Sequence, residues 1–154
     1  MIPNKILVAT DGSPHARGAE VVAAGLADMI GECTVTIATV LNPRDVYYPR
    51  ELYSKAGAVM GATDAEVKEA EAMVAEAAKR VGDAIRNDKA TVRPVVIEAA
   101  SSAQALIEEA HSDGTCSLIV MGSRGRGGFA SLVMGSVSTQ VLHGAHCPVL
   151  IVKE

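Results

Sequence analysis

Leu118-Ile119-Val120-Met121-Gly122-Ser123-Arg124-Gly125-Arg126-Gly127-Gly128 is an aliphatic run that breaks off in a basic, glycine-rich loop. Four glycines and two arginines fall between Gly122 and Gly128, and after a short apolar bridge Gly135-Ser136 opens a helical pattern. Glycine lets backbone N–H groups come close to a ligand. A helix N-terminus adds unpaired donors and the positive end of the helix dipole. A buried strand, a basic glycine loop and a helix start, in that order, read as a βα unit with a seat for phosphate at its turn.

The same unit recurs along the chain. Lys5 to Thr10 (KILVAT) is a short, mainly aliphatic run, as expected of a parallel strand buried on both faces, and it ends at Asp11-Gly12-Ser13-Pro14. Ser13 as N-cap and Pro14 at the first helical position start a helix. Ala19, Val22, Ala23, Leu26, Met29 and Ile30 give it an apolar stripe, and Gly31 ends it. Cys33 to Leu41 is a second strand, stopped by Asn42-Pro43. Thr63-x-x-Glu66 is a capping box for a helix running to about Asn87. That helix buries Val67, Ala70, Val74, Ala77, Val81 and Ile85, while Glu69, Glu71, Glu76, Lys79 and Arg80 read as a solvated face. Thr91 to Ile97 is a third strand, with Pro94 marking an edge. Ser101-x-x-Gln104 caps a helix with Leu106, Ile107 and Ala110 inward, ending by Gly114. Ser117 to Met121 is strand four, Ser136 to His143 the last helix and Pro148 to Val152 the last strand. Between them, residues 42–63 form a long connection holding all three tyrosines, Tyr47, Tyr48 and Tyr53; such a connection is expected to be a lid, a binding loop or disordered.

The β-α-β-α-β-α-β-α-β order implies one α/β domain over residues 1–154 with a mostly parallel sheet and helices on both faces. Ligands in such sheets bind at the carboxyl ends of strands, where the strand order reverses. Asp11, Val40 and Gly122 fall at carboxyl ends.

Composition narrows the function. Hydrophobic residues make up 49% of the chain but aromatics only 3%, which disfavours stacking platforms for single-stranded nucleic acid. A net charge of −4 disfavours general polyanion binding, so an anion site must be local. No apolar run reaches membrane-spanning length and no signal pattern opens the chain, so a cytoplasmic protein is expected. Cys33, Cys116 and Cys147 are an odd set without CxxC spacing, consistent with reduced thiols.

Two familiar phosphate loops fail on the residues. The P-loop needs Lys and Ser/Thr where Gly128 and Phe129 stand. A dinucleotide fingerprint through Gly125, Gly127 and Ala130 lies in the last βα unit and meets Leu150 where its ribose-binding acid belongs. Gly122-x2-Gly125-x9-Gly135-Ser136 fits without strain. Together with ILVATDGS (Ile6 to Ser13), IVMGSRGRGG (Ile119 to Gly128) and GSVSTQVLHGAHCPVLIVK (Gly135 to Lys153), it resembles the ATP-binding branch of the universal stress protein family. The chain departs from the family pattern at Glu98-Ala99-Ala100, where a glycine is common.

The resemblance implies an open, Rossmann-like sheet of the adenine nucleotide alpha hydrolase type, with strand order 3-2-1-4-5. It implies ATP (or AMP or cyclic AMP) across the carboxyl edge, with Mg or Mn at the phosphates. Carried over by position, Ala9, Thr10 and Asp11 close strand one beside the ribose, with Asp11 near the ribose or a phosphate-bound metal. Val40 offers backbone groups to adenine, and Met121 and Gly122 pack on ribose and base. Gly122, Gly125, Gly135 and Ser136 hold phosphates, and Val137 and Ser138 add first-turn donors. Arg124 and Arg126 can add charge-assisted bonds. The resemblance also implies a homodimer, and residues 148–152, apolar on both faces, would be an aggregation hazard at an unpaired edge. No nucleic acid or membrane partner is expected; a protein partner is, with its identity open.

Three functions compete: a nucleotide-dependent regulatory binder in a stress response, a slow ATPase or nucleotidyl transferase, and a dimeric scaffold with a vestigial site. Phosphoryl transfer wants a group to orient the nucleophile, and no candidate base stands near the glycine loop, so no catalytic residue is assigned and the binder is favoured. His143, His146, Cys147 and Cys116 could approach one another at the amino edge, but their spacing is not that of a zinc finger.

Overall fold

The structure, a computed structural model, describes residues 4–42, 61–112, 118–127 and 133–153. Its elements are β1 (Lys5–Ala9), α1 (Pro14–Ile30), β2 (Thr34–Leu41), α2 (Asp64–Ala84), β3 (Thr91–Glu98), α3 (Ser102–Ala110), β4 (Leu118–Gly122), α4 (Ser136–Gly144) and β5 (Val149–Val152). The tyrosine-bearing connection, Cys116 and residues Gly128 to Ala130 lie outside the described residues.

Local chemistry sets the boundaries. The Ser13 hydroxyl accepts from the Ala16 N–H at 3.2 Å, with Pro14 at the first position of α1. Gly31, at φ 84°, closes that helix by donating to the Ala27 carbonyl. The capping box is complete: the Glu66 N–H donates to the Thr63 hydroxyl at 3.3 Å, and the Thr63 N–H donates to the Glu66 carboxylate at 2.6 Å. Ser101 caps α3 by accepting from the Gln104 N–H.

All four strand pairings are parallel, in the order β3-β2-β1-β4-β5. Pro94 sits on the edge strand β3, where its missing N–H breaks no ladder on the outer side. Alternation divides the core. Ile6, Val8, Val35, Ile37 and Val120 face α1 and α2, whereas Leu7, Ala38, Ile119 and Met121 face α3 and α4. The fully buried Ala19, Ala23 and Ala27 let α1 lie close on the sheet. Burying a whole Val, Leu or Ile contributes roughly 1.5–3 kcal/mol, so the central strands carry most of the stability. Strand order reverses at β1, which has β2 on one side and β4 on the other. The crevice at their carboxyl ends is the place for a ligand.

Three sequence expectations change. Met29 is 78% exposed, whereas Ala19 and Ala23 are buried and Val22, Leu26 and Ile30 pack on the core at the flank of a stripe centred on Ala16, Glu20, Ala24 and Ala27. The second helix ends at Ala84 instead of near Asn87: the Arg86 and Asn87 amides donate to the Asp28 carboxylate at 2.7 and 3.0 Å and so leave the helical path. Arg80 is not on a solvated face. It reaches across to Glu20, whose side chain is 4% exposed, at 2.9 Å.

Candidate functional site

The carboxyl end of β1 turns sharply at Gly12, which takes φ 77°. One Asp11 oxygen accepts the Ser13 N–H at 2.9 Å, and the other accepts the Arg126 N–H at 2.8 Å. The first contact is a local turn beside the cap of α1. The second crosses from strand one to the glycine loop after β4, fastening the loop over the end of β1. Gly125 has to be glycine for this to happen: a Cβ there would stand 2.5 Å from the Asp11 carboxylate.

Gly122 has a different reason. A Cβ on it would stand 2.7 Å from the backbone carbon and oxygen of His15, so the end of β4 is packed directly under the first turn of α1. The Gly122 carbonyl accepts from the buried Ser138 hydroxyl at 2.9 Å, and the Ser123 carbonyl accepts from the Gly135 N–H at 2.7 Å. These two bonds tie the halves of the split glycine motif together.

Gly135 is the N-cap of α4 and no side chain caps that helix. The first intrahelical bonds consume carbonyls, not the leading amides, so Ser136, Val137 and Ser138 present their N–H groups at the helix start. Ser138 offers its amide alone, since its hydroxyl is bound to Gly122. Arg124 lies beside Gly135, its Cα 3.4 Å from where a Gly135 Cβ would be. Its Nε is buried and has no hydrogen-bond partner among the described residues. A buried guanidinium N–H without an acceptor is costly, and an anion at the mouth of α4 would supply one.

Next to these donors lies an apolar wall. Ala9, Val40 and Val137 are partly buried and pack on the cluster that holds Ala38 and Met121. Ala9 pairs in register with Ala38 on one side and Met121 on the other. The fold thus gathers Ala9, Val40, Met121 and Val137 at one end of the sheet, beside the amides of Ser136 to Ser138. Thr10 departs from this pattern: its hydroxyl points away, donating to Glu20 at 3.0 Å, so only its backbone faces the site.

Among the described residues, Asp11 is the carboxylate that meets the glycine loop. Among the described residues no three His, Cys, Asp or Glu side chains converge on a point that could hold an ion. Magnesium commonly takes one or two carboxylates plus substrate phosphates, so Asp11 fits a metal only when phosphate oxygens complete it. At the amino edge, the rings of His111 and His146 lie 6.2 Å apart, edge to face, without a third ligand among the described residues.

Several participants escaped the sequence reading. Glu20, Arg80 and Met73 all reach toward the Asp11 turn; the Met73 sulfur accepts from Arg126 Nη2 at 3.6 Å. A Cβ on Gly12 would stand 2.9 Å from that sulfur. The available signal was Glu20 itself, a carboxylate within a helical face otherwise made of alanine.

An open parallel sheet with a split glycine loop at its switch point defines an α/β domain whose ligand crevice lies at the carboxyl ends of its strands. The universal stress protein family model matches residues 3–153, and the chain belongs to that family. It is 32% identical over 148 residues to a universal stress protein of Thermus aquaticus, covering 96% of this chain and 97% of that one. With a universal stress protein of Mycolicibacterium smegmatis it shares 44% over 57 residues, a match that spans only 18% of that relative's length. A universal stress protein crystallised in complex with cAMP is similar at 27% identity and TM-score 0.65, over 99% of this chain and 98% of that one. One from Archaeoglobus fulgidus in complex with dAMP shares the fold at 20% identity and TM-score 0.66, over 98% of each chain. Among the described residues, no helix is long and apolar enough to cross a membrane.

Proposed function

We propose that this chain binds an adenine nucleotide across the carboxyl ends of β1, β2 and β4 and uses the bound state to regulate a protein partner in a stress response. The observation that carries this reading is the uncapped start of α4 beside Arg124, whose buried Nε has no hydrogen-bond partner among the described residues, next to an apolar wall for a base. Each anion contact at a helix N-terminus contributes ~0.3–1 kcal/mol, so the site relies on several donors converging. Phosphates rest on Gly122, Gly125, Gly135 and Ser136, with amides of Val137 and Ser138 and the charge of Arg124. Ala9, Thr10 and Met121 border the ribose, and Val40 presents backbone groups to adenine. ATP with Mg or Mn at Asp11 is the form that uses every one of these groups; the relatives solved with cAMP and dAMP support the adenine and ribose half.

Binding is favoured over turnover because the carboxylate beside the glycine loop already accepts two backbone N–H groups and is poorly placed to orient a nucleophile. Hydrolysis well above the spontaneous rate, abolished in Asp11→Ala, would overturn that preference. We read the buried thiol of Cys33, and a cysteine set without CxxC spacing, as those of a cytoplasmic protein. The deciding experiment is mass spectrometry of nucleotide released from freshly purified, denatured protein, paired with a thermal shift on adding ATP or AMP. Near-stoichiometric adenine nucleotide and a raised melting temperature are expected. An empty protein that ignores both ligands would leave the vestigial scaffold as the surviving reading.

A further inference from the structure

Among the described residues, Thr10 and Glu20 are buried and join the half-exposed Arg80 in a polar chain whose side chains the nucleotide site does not use. Glu20 lies in the alanine face of α1 with its side chain 4% exposed. Arg80 of α2 donates to it from Nε at 3.1 Å and from Nη2 at 2.9 Å, and its Nη1 donates to Glu76 at 3.0 Å. On the other side, the Thr10 hydroxyl donates to Glu20 at 3.0 Å and accepts the Gly12 N–H at 3.3 Å. One uninterrupted run of hydrogen bonds therefore leads from the backbone of the Asp11–Gly12 turn to the C-terminal third of α2. About two turns earlier on α2, Met73 sits against Gly12 and takes a hydrogen bond from Arg126.

A buried ion pair is a weak source of stability, because desolvating both charges cancels much of their attraction; apolar replacements of similar volume are often neutral or stabilising. Its geometry, by contrast, is highly directional, since a two-nitrogen guanidinium–carboxylate contact fixes both partners. We infer that Arg80 is a positioning residue for the nucleotide site: through Glu20 and Thr10 it fixes the Asp11–Gly12 turn, and so couples the placement of α2 to nucleotide affinity. Asp11 in turn holds the glycine loop through the Arg126 amide, which carries the effect from α2 to the phosphate side. The affinity part of this inference rests on the adenine-nucleotide reading above; the structural coupling does not.

The test compares Arg80→Met, Arg80→Lys and the double variant Glu20→Met/Arg80→Met with wild type, and with Arg93→Met. The last breaks the Arg93–Glu109 pair at the amino edge, away from the site. Three readouts are taken on each: melting temperature, ATP and AMP affinity by titration calorimetry, and amide hydrogen exchange at Gly12, Ser13 and Arg126. Arg80→Met strands a buried carboxylate and is expected to lower the melting temperature. The double variant removes both charges and regains most of that loss. Affinity and exchange are expected not to recover with it: the double variant binds nucleotide on the order of tenfold more weakly, and its three amides exchange faster by a similar factor. Arg80→Lys is intermediate, and Arg93→Met leaves affinity and those amides unchanged. If the double variant recovers wild-type exchange and affinity along with its melting temperature, the pair is merely structural and the inference fails while the nucleotide reading stands. Wild-type protein that binds neither nucleotide sinks the nucleotide reading, and the exchange comparison still decides whether Arg80 governs the turn.

Discussion

Gly122 and Gly125 belong to one motif yet are glycines for unlike reasons. At Gly125 a side chain would collide with a carboxylate that can swing away, so Gly125→Ala should fold and melt near wild type. It pushes the loop off Asp11, and adenine nucleotide affinity measured by calorimetry is expected to fall about tenfold. At Gly122 the obstacle is the His15 backbone, which cannot yield without moving α1. Gly122→Ala should lower stability by about 1–3 kcal/mol, as overpacked sites do, visible as an earlier denaturant midpoint. Cys33 offers a third check at this scale. It is 5% exposed at the head of β2, and burial pushes its thiol pKa above the usual value. A thiol reagent should therefore modify it slowly in native protein and at once after unfolding; fast native labelling would contradict the packing.

At the scale of elements, the ends of α2 are where side-chain chemistry substitutes for helical bonds. Removing the cap with Thr63→Ala should cost about 1 kcal/mol, read as a lowered melting temperature. At the other end, Asp28 of α1 receives the Arg86 and Asn87 amides, and these backbone bonds hold its carboxyl below the ordinary pKa. A group depressed in the folded state contributes above its unfolded pKa and loses that contribution as pH falls through the folded value. Wild type should thus outlast Asp28→Asn at neutral pH, with the gap in melting temperature closing as pH drops below the carboxylate range. A gap independent of pH would show that the charge is irrelevant to this junction. Such element ends were legible in the residues wherever the signal is local: Ser13-Pro14, Thr63-x-x-Glu66 and Ser101-x-x-Gln104 each cap the helix they announce. The end of α2 was not, because its stop signal, Asp28, lies on a different helix. Arg80 misled for the same reason: charges spaced along one helix say nothing of a carboxylate buried on another.

For the whole molecule, the place of Asp11, Val40 and Gly122 at carboxyl ends of strands followed from the α/β rhythm, whereas the strand order followed from the family resemblance. What the spacing could not convey is contact across the switch point, such as Asp11 with the Arg126 amide, since that depends on how far the loop folds back. The strand β5 lies at the sheet edge, with Leu150 36% exposed and one row of backbone groups unpaired within the sheet. We propose that residues 148–152 pair with a second copy about a two-fold axis. Light scattering should then give a dimer at micromolar concentration, and Leu150→Lys should shift it toward monomer; a wild-type monomer would refute the pairing.

The central position of β1 also has a meaning in time. Made first, it can pair with β2 soon after synthesis, yet its other flank joins Leu118 to Met121, which emerge from the ribosome more than a hundred residues later. Until then an apolar strand edge stands uncovered, the situation that invites mispairing and slows folding. The glycine loop and α4 follow later still, so the proposed nucleotide site cannot form before the seam is closed. On the proposed adenine-nucleotide reading, occupancy reports that the β1–β4 seam has closed, and a nascent chain stalled before β4 should neither bind nucleotide nor escape chaperones.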